Sequence, residues 1–169
     1  MEGLQLAKKQ KTTVTNAIRL ITAAKLPHEI LTYESDGEIG ENFGERSAEK
    51  MGVDKEQSFK TLVIRGERTG ISVACIPSCC EVDLKKFARA AGDKKAEMIH
   101  VKELLELTGY IRGSVSPIGM KKKYPTYISD RALKFDKILV SGGMCGIAVR
   151  MTPQDIQTIT NAVFADITV

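Results

Sequence analysis

Apolar residues follow two different spacings along this chain, and each spacing predicts a different kind of element. Between Thr13 and Lys25 they recur every three or four positions, which predicts an amphipathic helix that ends before Pro27. Phe59 to Arg65 and Gly70 to Ile76 are rich in β-branched residues and flank a short turn, so they predict a β-hairpin. Hairpin-like pairs between helices favour a mixed α/β fold over a purely parallel sheet.

The remaining predicted elements are short and are bounded by capping residues. Asp83 and Thr152 are suitable N-caps, and Gly52, Gly92 and Gly109 are suitable helix ends. We therefore predict helices over 44–51, 84–91 and 101–108 and from residue 153 onward, and strands over 29–33, 124–129, 137–141, 146–151 and 165–169. No internal repeat or linker interrupts them, so one domain is expected.

Composition fits a globular protein and disfavours several other classes. The chain has 169 residues, of which 43% are hydrophobic and 27% are charged, enough to bury one core. No apolar stretch approaches the length of a membrane span, and residues 1–11 lack the apolar segment of a signal peptide, so a cytoplasmic protein is expected. The net charge of +4 is compatible with a local contact to phosphates but does not require one.

Lys60 is the most informative single residue. It lies at the start of the strand Phe59–Ile64, both faces of which are apolar. Burying an unpaired ammonium group is unfavourable. The charge therefore either reaches water at the end of the strand or is kept for an anionic ligand, and the strand alone leaves both possibilities open.

Two glycine-rich segments are candidate binding loops. Gly109–Gly119 contains three glycines and a proline, and its backbone amides could hold a carbonyl oxygen or a phosphate. The basic run Lys121–Lys123 follows it and suits either solvent or a nucleic-acid backbone. Ser141–Gly146 follows a predicted strand but lacks the GxGxxG and Walker patterns, which disfavours a nucleoside triphosphate. Either segment could equally be an ordinary structural loop.

Other common catalytic patterns find little support. Neither His28 nor His100 is placed near Ser116 or Ser141, which disfavours a Ser–His–Asp triad, and Cys145 has no evident base partner. The four cysteines form no CxxC pair, so neither a metal site nor a redox pair is indicated, and we expect reduced thiols and no cofactor.

Taken in order, several segments of the chain resemble the YbaK family of aminoacyl-tRNA deacylases. The matching segments are His28–Tyr33, Asn42–Gly44, Ala48–Gly52, Ser58–Leu62, Thr108–Tyr110, Gly113–Pro117, Gly119, Ser141–Gly143, Gly146 and Pro153–Asp155. The ordered combination of Phe-Lys-Thr-Leu, a GxxxP loop and a Ser-Gly-Gly turn makes the resemblance specific. It covers roughly residues 13 to 168, so we expect a deacylase domain over 13–169 and a flexible N-terminal arm over 1–12.

The resemblance implies a single compact mixed α/β domain, with a twisted, barrel-like sheet surrounded by short helices and a pocket for the aminoacylated 3′ end of tRNA. Lys60 matches the family's essential lysine, which would hold the terminal phosphate or ribose. Gly113 begins the loop whose backbone amides would engage the ester carbonyl. The implied substrate-binding residues are Tyr33, Phe43, Ser114, Ser116, Pro117, Ser141, Gly142 and Gly143.

The activity that the resemblance implies is trans-editing deacylation of mischarged Cys-tRNA(Pro). The thiol of the substrate would attack its own ester carbonyl, so the protein would need no nucleophile. The expected partners are the acceptor end of proline tRNA and prolyl-tRNA synthetase, with no role for DNA or a membrane. The alternatives are an Ala-tRNA(Pro) hydrolase that activates a water, a non-catalytic tRNA-binding module associated with a synthetase and, more weakly, a cysteine-based redox protein.

Overall fold

Eight β-strands in two sheets form the centre of the part of the chain that the computed structural model describes, residues 14–35, 37–40 and 42–169. The strands are β1 (Glu29–Thr32), β2 (Phe59–Gly66), β3 (Gly70–Pro77), β4 (Ala96–Met98), β5 (Thr126–Ser129), β6 (Ile138–Met144), β7 (Ile147–Met151) and β8 (Val163–Ala165). One sheet has the order β1-β7-β6 and the other the order β4-β2-β3-β5-β8. Strand β5 runs parallel to β3 and β8, and the other pairs are antiparallel, which confirms the mixed sheet.

The two sheets join where β2 begins. Ser58 forms an isolated parallel bridge with Leu139, and the Leu139 N–H donates to the Gln57 carbonyl at 2.8 Å. Side chains from both sheets then share one core, which includes Phe59, Val73, Ile128, Val140 and Val149. This junction places the middle of β6 beside the first half of β2.

Short helices cover the sheets in the described residues, and their ends follow the predicted caps. They are α1 (Asn16–Ala23), α2 (Phe43–Met51), α3 (Leu84–Ala91), α4 (Leu104–Thr108) and α5 (Pro153–Thr160). The side chains of Asp83 and Thr152 accept hydrogen bonds from the first turns of α3 and α5. Gly52, Gly92 and Gly109 end their helices in the left-handed conformation, as predicted.

Three elements differ most from the sequence prediction. The helix predicted over 101–108 begins with a 3-10 turn, Val101–Glu103. The strand predicted over 165–169 is displaced: β8 is Val163–Ala165, and beyond it only Thr168 forms an isolated antiparallel bridge, with Val82. Strand β4 was not predicted, since three residues are too few to show a clear period.

Two further predictions concern the ends of the chain and a membrane. The N-terminal arm predicted over residues 1–12 lies outside the described residues. Within the described ranges, no helix is long and apolar enough to cross a membrane.

Candidate functional site

A cavity of about 710 Å³ opens along the edge of β2 that has no strand partner. Strand β4 pairs only with Ile64–Gly66, so the first half of β2 faces the cavity instead. Helix α2, the turn after β3, the segment 98–104, the loop 112–115 and the middle of β6 form the other walls. Five segments that are distant in sequence therefore meet around one open strand edge.

The open strand edge also supplies main-chain groups. The Val63 carbonyl accepts the N–H of Ile99 at 3.3 Å, on the side of β2 away from β3. Main-chain groups of alternate residues in a strand point the same way. The N–H and carbonyl of Thr61 are therefore directed toward the cavity, where they can bond to a ligand.

Five of the predicted site residues line this cavity: Tyr33, Phe43, Lys60, Gly113 and Ser141. The other five, Ser114, Ser116, Pro117, Gly142 and Gly143, lie outside its wall. Both Ser114 and Ser116 are buried, and their hydroxyls bond to backbone groups of their own loop. The structure thus gives these serines a role in holding the loop.

Lys60 is half-buried on the cavity wall. No hydrogen bond or salt bridge joins its ammonium group to another residue in the described part of the chain. A half-buried cation without a protein partner is well suited to bind an anionic ligand. The geometry therefore favours the second of the two possibilities that the strand pattern left open.

The loop that begins at Gly113 packs closely against the side chains of Ile39 and Cys145. Gly113 has φ of +89°, and a Cβ atom there would lie 2.8 Å from the Ile39 Cδ1 and 3.2 Å from the Cys145 Sγ. Only glycine combines this backbone conformation with so little space. The N–H groups of Gly113 and Val115, both wall residues, donate to no other described residue, so both remain available as hydrogen-bond donors.

Ser141 fixes this loop to β6. Its hydroxyl donates to the Ser114 carbonyl at 2.9 Å and accepts the N–H of Gly143 at 3.1 Å. The two glycine-rich segments singled out in the sequence are therefore held together by one side chain. Because its hydroxyl proton is engaged in this way, Ser141 is placed to position the loop.

An aromatic pair forms the wall at the α2 end of the cavity. The rings of Tyr33 and Phe43 meet edge to face with centroids 6.4 Å apart, and the Arg46 guanidinium lies 5.9 Å from the Phe43 centroid. Gly44 packs directly against the Ser78 side chain, which brings α2 close to the end of β3. This corner can enclose a small side chain.

Three of the four cysteine thiols, those of Cys75, Cys79 and Cys145, carry no feature of an activated nucleophile. Burial raises the pKa of the Cys79 and Cys145 thiols, and it raises the pKa of Cys75 to about 12. Reactive thiolates need the opposite shift. Neither His28 nor His100 lines the cavity. Among the described residues, no group of three or more His, Cys, Asp or Glu side chains could hold a metal ion.

Sequence reasoning missed one wall of the cavity, which we call the apolar wall: Met98, Val101 and Leu104. Two bonds from Arg65 to the Glu103 carboxylate, at 2.8 and 3.3 Å, fasten this segment to β2. The hydrogen bond from Arg65 lowers the pKa of Glu103. The isolated apolar residues between Glu97 and Leu105 were the available signal, but they predicted only a helix face.

Comparison with known proteins shows which family the chain matches. Residues 43–159, more than half of the chain, match the family described as an aminoacyl-tRNA editing domain. A protein of Enterococcus faecalis, provisionally named as the Cys-tRNA(Pro)/Cys-tRNA(Cys) deacylase EbsC, is 45% identical over 96% of this chain and 98% of its own length. A proline–tRNA ligase of Thermosipho africanus is 32% identical over 59% of this chain and 17% of the ligase.

Solved structures share the fold. One is provisionally described as a trans-editing enzyme for prolyl tRNA synthetase and superposes with a TM-score of 0.79 at 23% identity, covering 94% of this chain and 99% of that one. A hypothetical protein, APE2540, gives a TM-score of 0.80 at 23% identity over 92% and 100% of the two chains. The mixed α/β fold and the predicted class of enzyme, an aminoacyl-tRNA deacylase, are confirmed. This chain belongs to the aminoacyl-tRNA editing domain family.

Proposed function

We propose that this protein removes cysteine from mischarged proline tRNA, and that the thiol of the substrate attacks its own ester carbonyl. One observation carries the proposal. Lys60, whose ammonium group has no partner among the described residues, shares a cavity with the Gly113 loop, and burial raises the pKa of Cys79, a thiol on the cavity wall. Such a site can bind, orient and polarise an ester, and an attacking atom that belongs to the substrate needs no nucleophile from the protein. The name of the E. faecalis relative supports the choice of cysteine.

In this mechanism each wall of the cavity has a separate task. Lys60 binds the phosphate or ribose of the terminal nucleotide, and the N–H groups of Gly113 and Val115 bind the ester carbonyl oxygen. Tyr33 and Phe43 hold the cysteine side chain folded toward that carbonyl. The new C–S bond forms as the ester C–O bond breaks, the thiol proton passes to the leaving ribose oxygen, and the thiolactone released is opened by water.

Positioning alone accounts for a large rate enhancement. Orienting a reacting group next to its target contributes about 7–11 kcal/mol when the geometry is good. Each fixed donor at the developing oxyanion adds roughly 3–4 kcal/mol. A pocket discriminates one methylene by only about 1–3 kcal/mol, so selection by substrate reactivity gives better specificity than size alone.

We further propose that prolyl-tRNA synthetase supplies the tRNA identity and that both act in the cytoplasm. The editing segment shared with a proline–tRNA ligase supports this pairing. The cavity holds little more than one aminoacylated nucleotide, so most of the tRNA would lie outside it. Addition of the synthetase is expected to restrict cysteine release to proline tRNA.

The test is to incubate the protein with labelled Cys-tRNA(Pro) and, separately, labelled Ala-tRNA(Pro), and to follow the ester-bound label. Release of cysteine alone is expected. Release of alanine alone would replace this proposal with a hydrolase that activates a water, and release of neither would leave a tRNA-binding module. Lys60→Ala should nearly abolish release while the protein stays folded, whereas Lys94→Ala, which removes an exposed lysine outside the cavity, should not.

A further inference from the structure

The apolar wall exposes hydrophobic side chains that the proposed chemistry does not use. Met98 is 42% exposed and Val101 is 58% exposed, and both line the cavity with Leu104. Isolated surface hydrophobic residues are common, but a group that lines one side of a ligand cavity points to a binding surface. Its position relative to the other walls indicates what would bind there.

The apolar wall and the corner formed by Tyr33 and Phe43 lie at opposite ends of the open β2 edge. At one end, Gly44 of α2 packs against Ser78, which follows the residue paired with Phe59. At the other end, the N–H of Ile99 bonds to the Val63 carbonyl. Val63 lies four positions after Phe59, which is about 13 Å at the usual rise per residue. Lys60 lies along β2 between the two ends.

The apolar wall is a fixed surface. Glu103 accepts both bonds from Arg65 and also the N–H of His100 at 3.2 Å, so the turn that carries Val101 is fastened to β2 and capped. Side chains held in place lose less conformational entropy when a ligand packs on them. This favours a function in binding over a chance exposure of apolar residues.

We propose that the apolar wall binds the adenine base of the terminal nucleotide of the acceptor end; this rests on the proposed function. The scissile ester lies on the ribose of that nucleotide, so the amino acid and the base extend from one sugar in different directions. If the amino acid occupies the corner formed by Tyr33 and Phe43, the apolar wall lies at the far end of the open β2 edge, where it can receive the base. A base can pack its flat face on such a surface without hydrogen-bond readout.

The experiment uses a chemically cysteinylated RNA hairpin that ends either in adenosine or in an abasic nucleotide. Val101→Asp places a charge on the apolar wall. Leu105→Asp is the matched control, because Leu105 is 53% exposed in the same segment but does not line the cavity. For the wild type, loss of the base should raise KM about tenfold. Val101→Asp should raise KM by a similar factor for the adenosine hairpin only. Leu105→Asp should leave the KM for both hairpins unchanged.

Binding of the uncharged hairpins, measured by fluorescence anisotropy, separates this inference from the proposed function. The wild type should bind the adenosine hairpin about tenfold more tightly than the abasic one, and Val101→Asp should bind both equally. Base-dependent binding without cysteine release would overturn the proposed deacylation and keep the adenine site. Equal binding of both hairpins by the wild type, or an equal effect of Val101→Asp on both, would overturn the adenine site.

Discussion

Gly113→Ala is the substitution whose effect follows most directly from the geometry of the loop. An L-residue in the left-handed region costs about 1–2 kcal/mol. The new Cβ would also lie 2.8 Å from the Ile39 Cδ1 and 3.2 Å from the Cys145 Sγ, and overpacking of this kind costs about 1–3 kcal/mol. The free energy of unfolding should therefore fall by about 2–5 kcal/mol, which lowers Tm by roughly 4–20 °C in a protein of this size.

Gly92→Ala is the matched control. Gly92 has φ of +75°, but a Cβ atom there would meet nothing within 4 Å. Only the conformational cost of about 1–2 kcal/mol remains, and Gly92 does not line the cavity. Thermal unfolding measures both stabilities, and cysteine release at a temperature where both variants are folded should be lost only in Gly113→Ala.

A second substitution tests whether crowding is the cause. Ile39→Ala removes the side chain nearest to the new Cβ. Gly113→Ala should therefore lower the free energy of unfolding less in the Ile39→Ala background than it does in the wild type. Equal stability losses for Gly113→Ala and Gly92→Ala, or no coupling between residues 113 and 39, would refute the reasoning.

Three further predictions concern residues at or near the cavity and its scaffold. Ser141→Ala removes the hydrogen bond to the Ser114 carbonyl, which holds the Gly113 loop, and the hydrogen bond from the Gly143 N–H. It should therefore lower the free energy of unfolding by about 1–3 kcal/mol and reduce kcat more than it raises KM; a change in KM alone would indicate substrate binding instead. Hydrogen bonds from the backbone N–H groups of Thr69 and Arg68 hold the pKa of Asp93 well below its usual range. The carboxylate therefore stabilises the fold fully at pH values above the unfolded-state pKa of about 3.9, and this stabilisation is lost as the pH falls toward the folded-state pKa. Asp93→Asn should flatten that acid limb of the stability curve, and an unchanged limb would contradict the assignment. Cys75 is 1% exposed and should resist a thiol reagent until the protein unfolds, whereas Cys145 should react in the native state; early labelling of Cys75 would show that the core opens.

Features set by neighbouring residues were predictable from the sequence. The β2–β3 hairpin, the caps at Asp83 and Thr152 and the helix end at Gly92 depend on local backbone preferences and short-range hydrogen bonds. Each agrees with the structure.

Features set by contacts between distant segments were harder to predict from the sequence. The pairing of β1 with β7 leaves no local pattern in the sequence. The apolar wall depends on a bond between Arg65 and Glu103, 38 residues apart, and on a three-residue edge strand. Ser141 shows the same limit within a matching motif: the resemblance implied a binding residue, but only the structure shows that its hydroxyl holds the Gly113 loop.

The central claim is that the cavity positions an ester for attack by the substrate's own thiol. It is tested most directly by single-turnover release from two matched substrates, proline tRNA charged with cysteine and the same tRNA charged with S-methylcysteine. The thiol is the nucleophile in our account, so release of cysteine should be fast and release of S-methylcysteine should fall to the uncatalysed rate, while both tRNAs bind with similar affinity. Equal rates of release would contradict the account and assign the attack to water.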